Sequence, residues 1–169
     1  MICIDEMGPV SAKSYAAHRP SPTGQRPRLA PDYGRRGSVW VYGGFEPATD
    51  LAFTHIGAAR DTQSFVAFLD ALAQRWPQGR LVLILDNLST HRTADVMLWA
   101  LAHERISFLF QPVYSPWLNL IEPWWKTLRS LALKGRVFAT LDEVTEAIHA
   151  ATAYWNTHCH PYHWRRSYS

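Results

Sequence analysis

Five consecutive aliphatic residues, Leu81–Leu85 (LVLIL), run straight into Asp86 and Asn87. A run this short and this apolar is a strand, and the lack of polar alternation predicts a central strand covered on both faces. Such a strand needs helices on each side of its sheet, and the flanking sequence supplies them. Thr62–Trp76 sets Phe65, Phe68, Leu69 and Leu72 on one helix face before Pro77 and Gly79 end it. Ala94–Glu104 reads as a second helix and Ile106–Phe110 (ISFLF) as a second buried strand. Ser115-Pro116 has the cap-then-proline signature of a helix start, and that helix is expected to reach about Leu133. A last helix is expected from Thr140 or Asp142 to about Trp155.

The front of the chain is different. Met1–Asp5 (MICID) reads as a short buried strand. Met7–Gly37 holds five prolines and four glycines and is expected to be a long loop or hairpin arm. Ser38–Phe45 and Leu51–Ile56 are rich in β-branched and aromatic residues and flank Glu46–Asp50, which predicts an antiparallel hairpin. Antiparallel strands followed by strands alternating with helices give an α/β fold: a mixed sheet with helices on both faces.

With 169 residues the chain is expected to be one domain, and 47% apolar against 18% charged residues excludes an intrinsically disordered chain. One of the longest apolar runs, Val96–Ala102, has seven residues, far below the roughly 18 of a membrane span. No export signal is read in MICIDEMG, where two carboxylates stand in place of positive charge, so a cytoplasmic location is expected. Cys3 and Cys159 are then expected as thiols, with a bridge between them left open. The net charge is only +3, but its distribution is uneven. Six basic residues (Lys13, Arg19, Arg26, Arg28, Arg35, Arg36) face one acid, Asp32, between positions 13 and 36. Four more (Lys126, Arg129, Lys134, Arg136) stand between 126 and 136 with no acid. Such zones are either solvated faces or a nucleic-acid surface.

Three acids carry the chemistry. Asp5 ends the first strand and Asp86 the LVLIL strand, where ligand-binding groups of open α/β sheets gather. Glu122 falls early in the helix opened by Ser115-Pro116, beside the apolar stripe Trp117, Ile121, Trp124 and Leu128, with Asn119 three residues before it. Taken singly, each has an ordinary explanation: an N-terminal surface acid for Asp5, a turn-starting Asp for Asp86, an ion pair with Lys126 for Glu122. Converging, they would repel one another and require a counter-charge. Two hard divalent cations supply it, since Mg²⁺ and Mn²⁺ prefer oxygen ligands. Ions about 3.5–4 Å apart can activate a water or a 3′-hydroxyl and stabilise the leaving oxygen of a phosphodiester.

These segments resemble a known family. Ile4-Asp5-Glu6, Ile84-Leu85-Asp86-Asn87-Leu88-Ser89-Thr90-His91 and Tyr114-Ser115-Pro116-Trp117-Leu118-Asn119-Leu120-Ile121-Glu122-Pro123-Trp124-Trp125 are similar to the catalytic domain of bacterial insertion-sequence transposases of the mariner-related superfamily, the DDE superfamily endonucleases. The 35 residues between Asp86 and Glu122 suit that superfamily's spacing, and the tail Tyr154-Trp155-Asn156 to Trp164 looks like the family's end. The resemblance implies a ribonuclease-H-like fold whose mixed sheet has five strands. It implies divalent-metal-dependent phosphodiester cleavage at transposon ends and strand transfer into target DNA, with TA dinucleotides as target. It gives Asp5, Asp86 and Glu122 the role of catalytic metal ligands for two Mg²⁺ or Mn²⁺ ions, and double-stranded DNA as partner of a homodimer. Family members carry helix-turn-helix modules ahead of the first catalytic strand. None is read in this sequence, which is therefore expected to be a catalytic half. Two other functions remain open: a catalytically silent remnant that binds DNA or full-length transposase, and a nuclease acting on RNA–DNA hybrids.

Asn87, His91 and Asn119 are expected to orient ligands, water or phosphate around the acids, or else to serve as ordinary cap and surface residues. Arg35, Arg36, Lys126, Arg129 and Lys134 are the candidate DNA contacts. His158, Cys159, His160 and His163 form one segment, where structural zinc sites draw on two, so zinc is not expected. Trp99, Trp117 and Trp124 are expected in the core, Trp40 and Trp125 partly exposed.

Overall fold

The computed structural model describes residues 1–15, 36–112 and 118–158. Five strands form one sheet in the order β3-β2-β1-β4-β5. They are β1 (Ile2–Ser11), β2 (Ser38–Glu46), β3 (Leu51–Gly57), β4 (Leu81–Leu85) and β5 (Ile106–Phe110). β1, β2 and β3 pair antiparallel, whereas β4 runs parallel to β1 and β5 parallel to β4. This is the expected mixed sheet, with its hairpin turned at Glu46–Asp50.

The helices are α1 (Thr62–Arg75), α2 (Ala94–Ala102), α3 (Glu122–Leu128) and α4 (Leu141–His158). Asp61 starts α1 by accepting the Ser64 N–H at 2.8 Å. Thr140 starts α4 by accepting the Glu143 N–H at 3.2 Å, while the Glu143 carboxylate reaches back to the Ala139 N–H at 2.7 Å, a variant of the reciprocal cap.

Strand alternation divides the core in two. Ile2, Ile4, Tyr42, Leu81, Leu83 and Leu85 pack with Phe65, Phe68, Leu69 and Leu72 of α1 and with Val96 and Trp99 of α2. Cys3, Met7, Val41 and Phe45 pack on the opposite face with Trp124, Trp125 and Leu128 of α3 and Val144, Ala147, Ile148 and Ala151 of α4.

Four expectations are corrected. β1 continues through Met7–Ser11, because its pairing with β2 resumes at Val10↔Val39 after an irregularity, so this part of the presumed loop is strand. The α-helix around Glu122 begins at Glu122 itself, and it passes at Arg129–Leu133 into a π-helical turn. Ser115, Pro116 and Trp117 lie outside the described residues. The second face of β4 is only partly covered: Ile84 packs against the α3–α4 core while Val82 is exposed. That core is built on β1 and β2, and it leaves this flank of the sheet bare. Finally, Trp125 is buried, not partly exposed.

Candidate active site

The parallel register pairs Ile2 with Leu83 and Cys3 with Ile84. β1 runs on past this pairing to Asp5, whereas β4 ends at Leu85, so Asp86 is the first residue beyond its strand. Neighbouring strands are about 4.8 Å apart, and residues in parallel register point to the same side. That side is the one carrying Cys3, Ile84 and α3. Glu122 is the first residue of α3. Asp5 thus lies on the sheet face that α3 covers and feels the charge of Glu122, the first residue of α3, while Asp86 reaches His91 on the α1 side.

Asp5 is the most perturbed of them. Burial pushes its carboxyl up to about 7. The Glu6 N–H and the Trp125 indole oppose this, and the charges of Glu6 and Glu122 reinforce it. The indole Nε1–H of Trp125 donates to Asp5 Oδ2 at 3.0 Å. Space for that ring comes from Gly43, which sits opposite Asp5 on β2. A Cβ at Gly43 would collide with Cη2 of Trp125 and stand 2.7 Å from its Cζ2.

Asp86 is held differently. Its Oδ1 accepts the Leu88 N–H at 3.0 Å and lies 2.9 Å from Nδ1 of His91. The other ring nitrogen, Nε2, is 2.5 Å from Glu6 Oε1. His91 and Glu6 are buried, with side chains 1% and 3% exposed, and the ring lies 4.2 Å from that of Phe65. Burial disfavours a charged imidazole here, but the bonds to Asp86 and Glu6 outweigh it and raise His91 to about 9. The raised value favours an imidazolium at neutral pH, with Nε2–H donating to Glu6 and Nδ1 beside the Asp86 carboxylate as an ion pair. The His91 bond is the main cause holding the Asp86 carboxyl below its usual range, against burial.

Two asparagines act on the backbone. Asn119 is buried, and its Nδ2 donates to Ile4 O at 3.1 Å while its own carbonyl accepts the Glu122 N–H at 3.2 Å. It pins the start of α3 to the strand that carries Asp5. Asn87 Nδ2 donates to Gln111 O at 2.5 Å, tying the ends of β4 and β5 together rather than facing the acids.

The donors suit a hard divalent cation. Asp5, Asp86 and Glu122 offer only oxygen, and the Asp5 carboxylate lacks a neighbouring cation among the described residues. Among the described residues no three His, Cys, Asp or Glu side chains are already gathered into a cage. Glu6, Gly43 and the buried role of Trp125 were not read from the sequence. Strand alternation alone could have placed Glu6 opposite Asp5, on the α1 face, but nothing local names His91 as its partner.

The candidate DNA contacts do not form one patch. Arg35 lies outside the described residues, as do Cys159, His160 and His163. Arg36 is exposed, with Nη1 at 3.5 Å from Phe138 O. Lys126 lines a cleft with Asp50, Trp124 and Trp155. Arg129 and Lys134 line another, beside Lys13. Cys3 is a buried thiol, which burial pushes up. Among the described residues no helix is long and apolar enough to cross a membrane.

Comparison with known proteins bears on the family and the fold. The sequence pattern of the family described as DDE superfamily endonuclease matches residues 1–145. The insertion element IS630 uncharacterized 39 kDa protein of Shigella sonnei is 26% identical over 106 residues, which are 62% of this chain and 31% of that protein. Among solved structures, the Mos1 transposase paired-end complex with left transposon end matches with a TM-score of 0.67 at 14% identity. That match covers 90% of this chain and 47% of the other. The catalytic core domain of BIV integrase matches with a TM-score of 0.61 at 12% identity, covering 94% and 84%. The chain thus spans about a third of the curated relative it matches and about half of the Mos1 chain.

Proposed function

The chain belongs to the DDE superfamily endonucleases, a transposase- and integrase-like nuclease domain of ribonuclease-H-like fold, and from that premise we propose that it cuts phosphodiesters at the ends of a mobile DNA segment and joins them to target DNA. The observation that supports this reading is the buried Asp5 carboxyl within reach of the Glu122 charge at the start of α3, on the strand that pairs with β4 just before Asp86. These three carboxylates are proposed to hold the metal, two Mg²⁺ or Mn²⁺ ions. When bound, such ions activate a water or 3′-hydroxyl and stabilise the leaving oxygen.

The chain's own groups set the stage. Burial and like charge keep Asp5 poised near neutrality, so it takes up a cation in exchange for a proton. Trp125 fixes Oδ2 of Asp5, and His91 with the Leu88 N–H fixes Oδ1 of Asp86. Asn119 holds the first turn of α3, and with it Glu122, against β1. Fixed ligands of this kind reduce the reorganisation needed when a phosphodiester arrives.

The partner is proposed to be double-stranded DNA, bound by a homodimer. The test is incubation of the purified chain with supercoiled plasmid in Mn²⁺ or Mg²⁺. Nicking that disappears in Glu122→Gln and in chelator supports the reading. Nicking that persists in Glu122→Gln at the wild-type rate refutes the assignment of the site.

A further inference from the structure

The residues Met7, Gly8, Pro9 and Val10 of β1, with Lys13, Tyr15, Arg129, Leu133 and Lys134, enclose a cleft of about 330 Å³. Three of these residues are cations and none is an acid. From this cleft we infer a second anion site, one that grips the phosphodiester backbone of a nucleic-acid strand about 3–5 nucleotides from the phosphate at Asp5, Asp86 and Glu122. The inference rests on the DNA reading above and deepens it.

The cations are placed by built structure rather than by chance on a surface. In an α-helix, residues five apart stand about 140° apart around the axis. The π-helical turn at Arg129–Leu133 closes instead from the Lys134 N–H to Arg129 O at 3.1 Å, which brings Lys134 back over Arg129. Such turns are rare and often mark functional sites. The chain then turns at Gly135, whose φ of 77° favours glycine, and is clipped to the segment after β1. Gly135 N–H donates to Tyr15 O and Tyr15 N–H to Arg136 O, both at 2.8 Å, and Phe138 N–H donates to Lys13 O at 3.2 Å. Tyr15 is anchored further by its hydroxyl, which donates to Ser11 O at 2.9 Å, and Lys13 Nζ stands 5.3 Å above its ring. Three positive side chains thus line one opening on a braced backbone, as an anion requires.

The distance to the acids points to a polymer. Gly8–Val10 follow Asp5 by three to five residues of strand, or roughly 10–17 Å. Arg129 follows Glu122 by seven residues, two helical turns along the same face of α3, or roughly 10 Å. A DNA strand advances about 3.4 Å per nucleotide, so one strand can occupy both sites at a spacing of about 3–5 nucleotides.

The test measures binding of a labelled DNA duplex to the full chain across a salt series, for wild type, for Lys13→Gln/Arg129→Gln/Lys134→Gln, and for Arg75→Gln/Arg80→Gln as a control far from the cleft. The three cleft residues are exposed, so the triple variant is expected to keep the wild-type melting temperature. Each lost phosphate contact lowers the slope of log K against log[salt] by about 0.9, so the triple variant should lose about 2–3 and the control nothing. A wild-type slope in the triple variant overturns the cleft while leaving DNA binding intact. Failure of the wild type to bind the duplex overturns both readings. Inorganic phosphate is the separate arm: a phosphate-induced melting shift that the triple variant loses, without any change in its DNA slope, makes the cleft a free-anion site and overturns the strand assignment.

Discussion

Gly43 and Gly44 are neighbours on β2, yet alanine at each should do opposite things to the active site. A Cβ at Gly43 would enter the space of the Trp125 indole and stand 3.1 Å from Ile121 Cδ1, in a fully buried contact. A Cβ at Gly44 points to the other face, 3.2 Å from Ile2 Cγ2 and 3.4 Å from Leu72 Cδ1, where methyl groups can yield by tenths of an ångström. Overpacking of a dense core typically costs about 1–3 kcal/mol. For a chain of this size each 1 kcal/mol lowers Tm by about 2–4 °C. Gly43→Ala is therefore expected to lose about 2–12 °C and to move the indole N–H off Asp5. Gly44→Ala is expected to cost less than about 1 kcal/mol and to leave Asp5 as it was, since both contacts are tighter than ordinary but adjustable. Urea unfolding gives the stability, and the pH dependence of unfolding between pH 4 and 8 gives the Asp5 titration, which should move upward in Gly43→Ala alone. Equal stability and equal titration in the two variants would refute the claim that Gly43 exists to admit Trp125 to Asp5.

Three further outcomes follow from the same contacts. Without divalent ions, stability should fall as pH rises. Asp5 is raised from 3.8 to about 7, so its contribution is full below about 4 and lost through 7, by at most about 4 kcal/mol. Asp5→Asn should flatten that slope in urea unfolding. His91 is raised from 6.5 to about 9, so its contribution is full below 6.5 and lost through 9, a second decline that His91→Gln should remove. Asn119→Ala removes the side-chain bond to the buried Ile4 carbonyl and should cost about 0.5–1.5 kcal/mol in chemical denaturation, with weaker Mn²⁺ binding as the start of α3 loosens.

The parts of this fold that depend on periodicity could be read from the sequence. Leu81–Leu85 and Ile106–Phe110 have the expected bounds, and Phe65, Phe68, Leu69 and Leu72 are buried as their spacing requires. What failed was governed by tertiary contact. Met7–Ser11 has loop-like Gly-Pro chemistry but is strand because Ser38–Val41 pair with it. Trp125 is expected partly exposed from the sequence, yet the missing side chain at Gly43 on another strand gives it a pocket. The same holds for the site. Asp86 and Glu122 stand at element ends as read, the one just past β4 and the other opening α3, whereas Asp5 lies inside β1, which runs on to Ser11. Glu6 could not be picked out, because its partner His91 is 85 residues away and reaches it only through the fold.

Titration of Mn²⁺ into the wild-type chain and into Asp86→Asn by calorimetry tests the central claim most directly, that these acids act as one metal site. The account predicts saturable heat in the wild type, with proton release as Asp5 ionises, and loss of that heat in the variant. Equal binding in both, or none in the wild type, would contradict it.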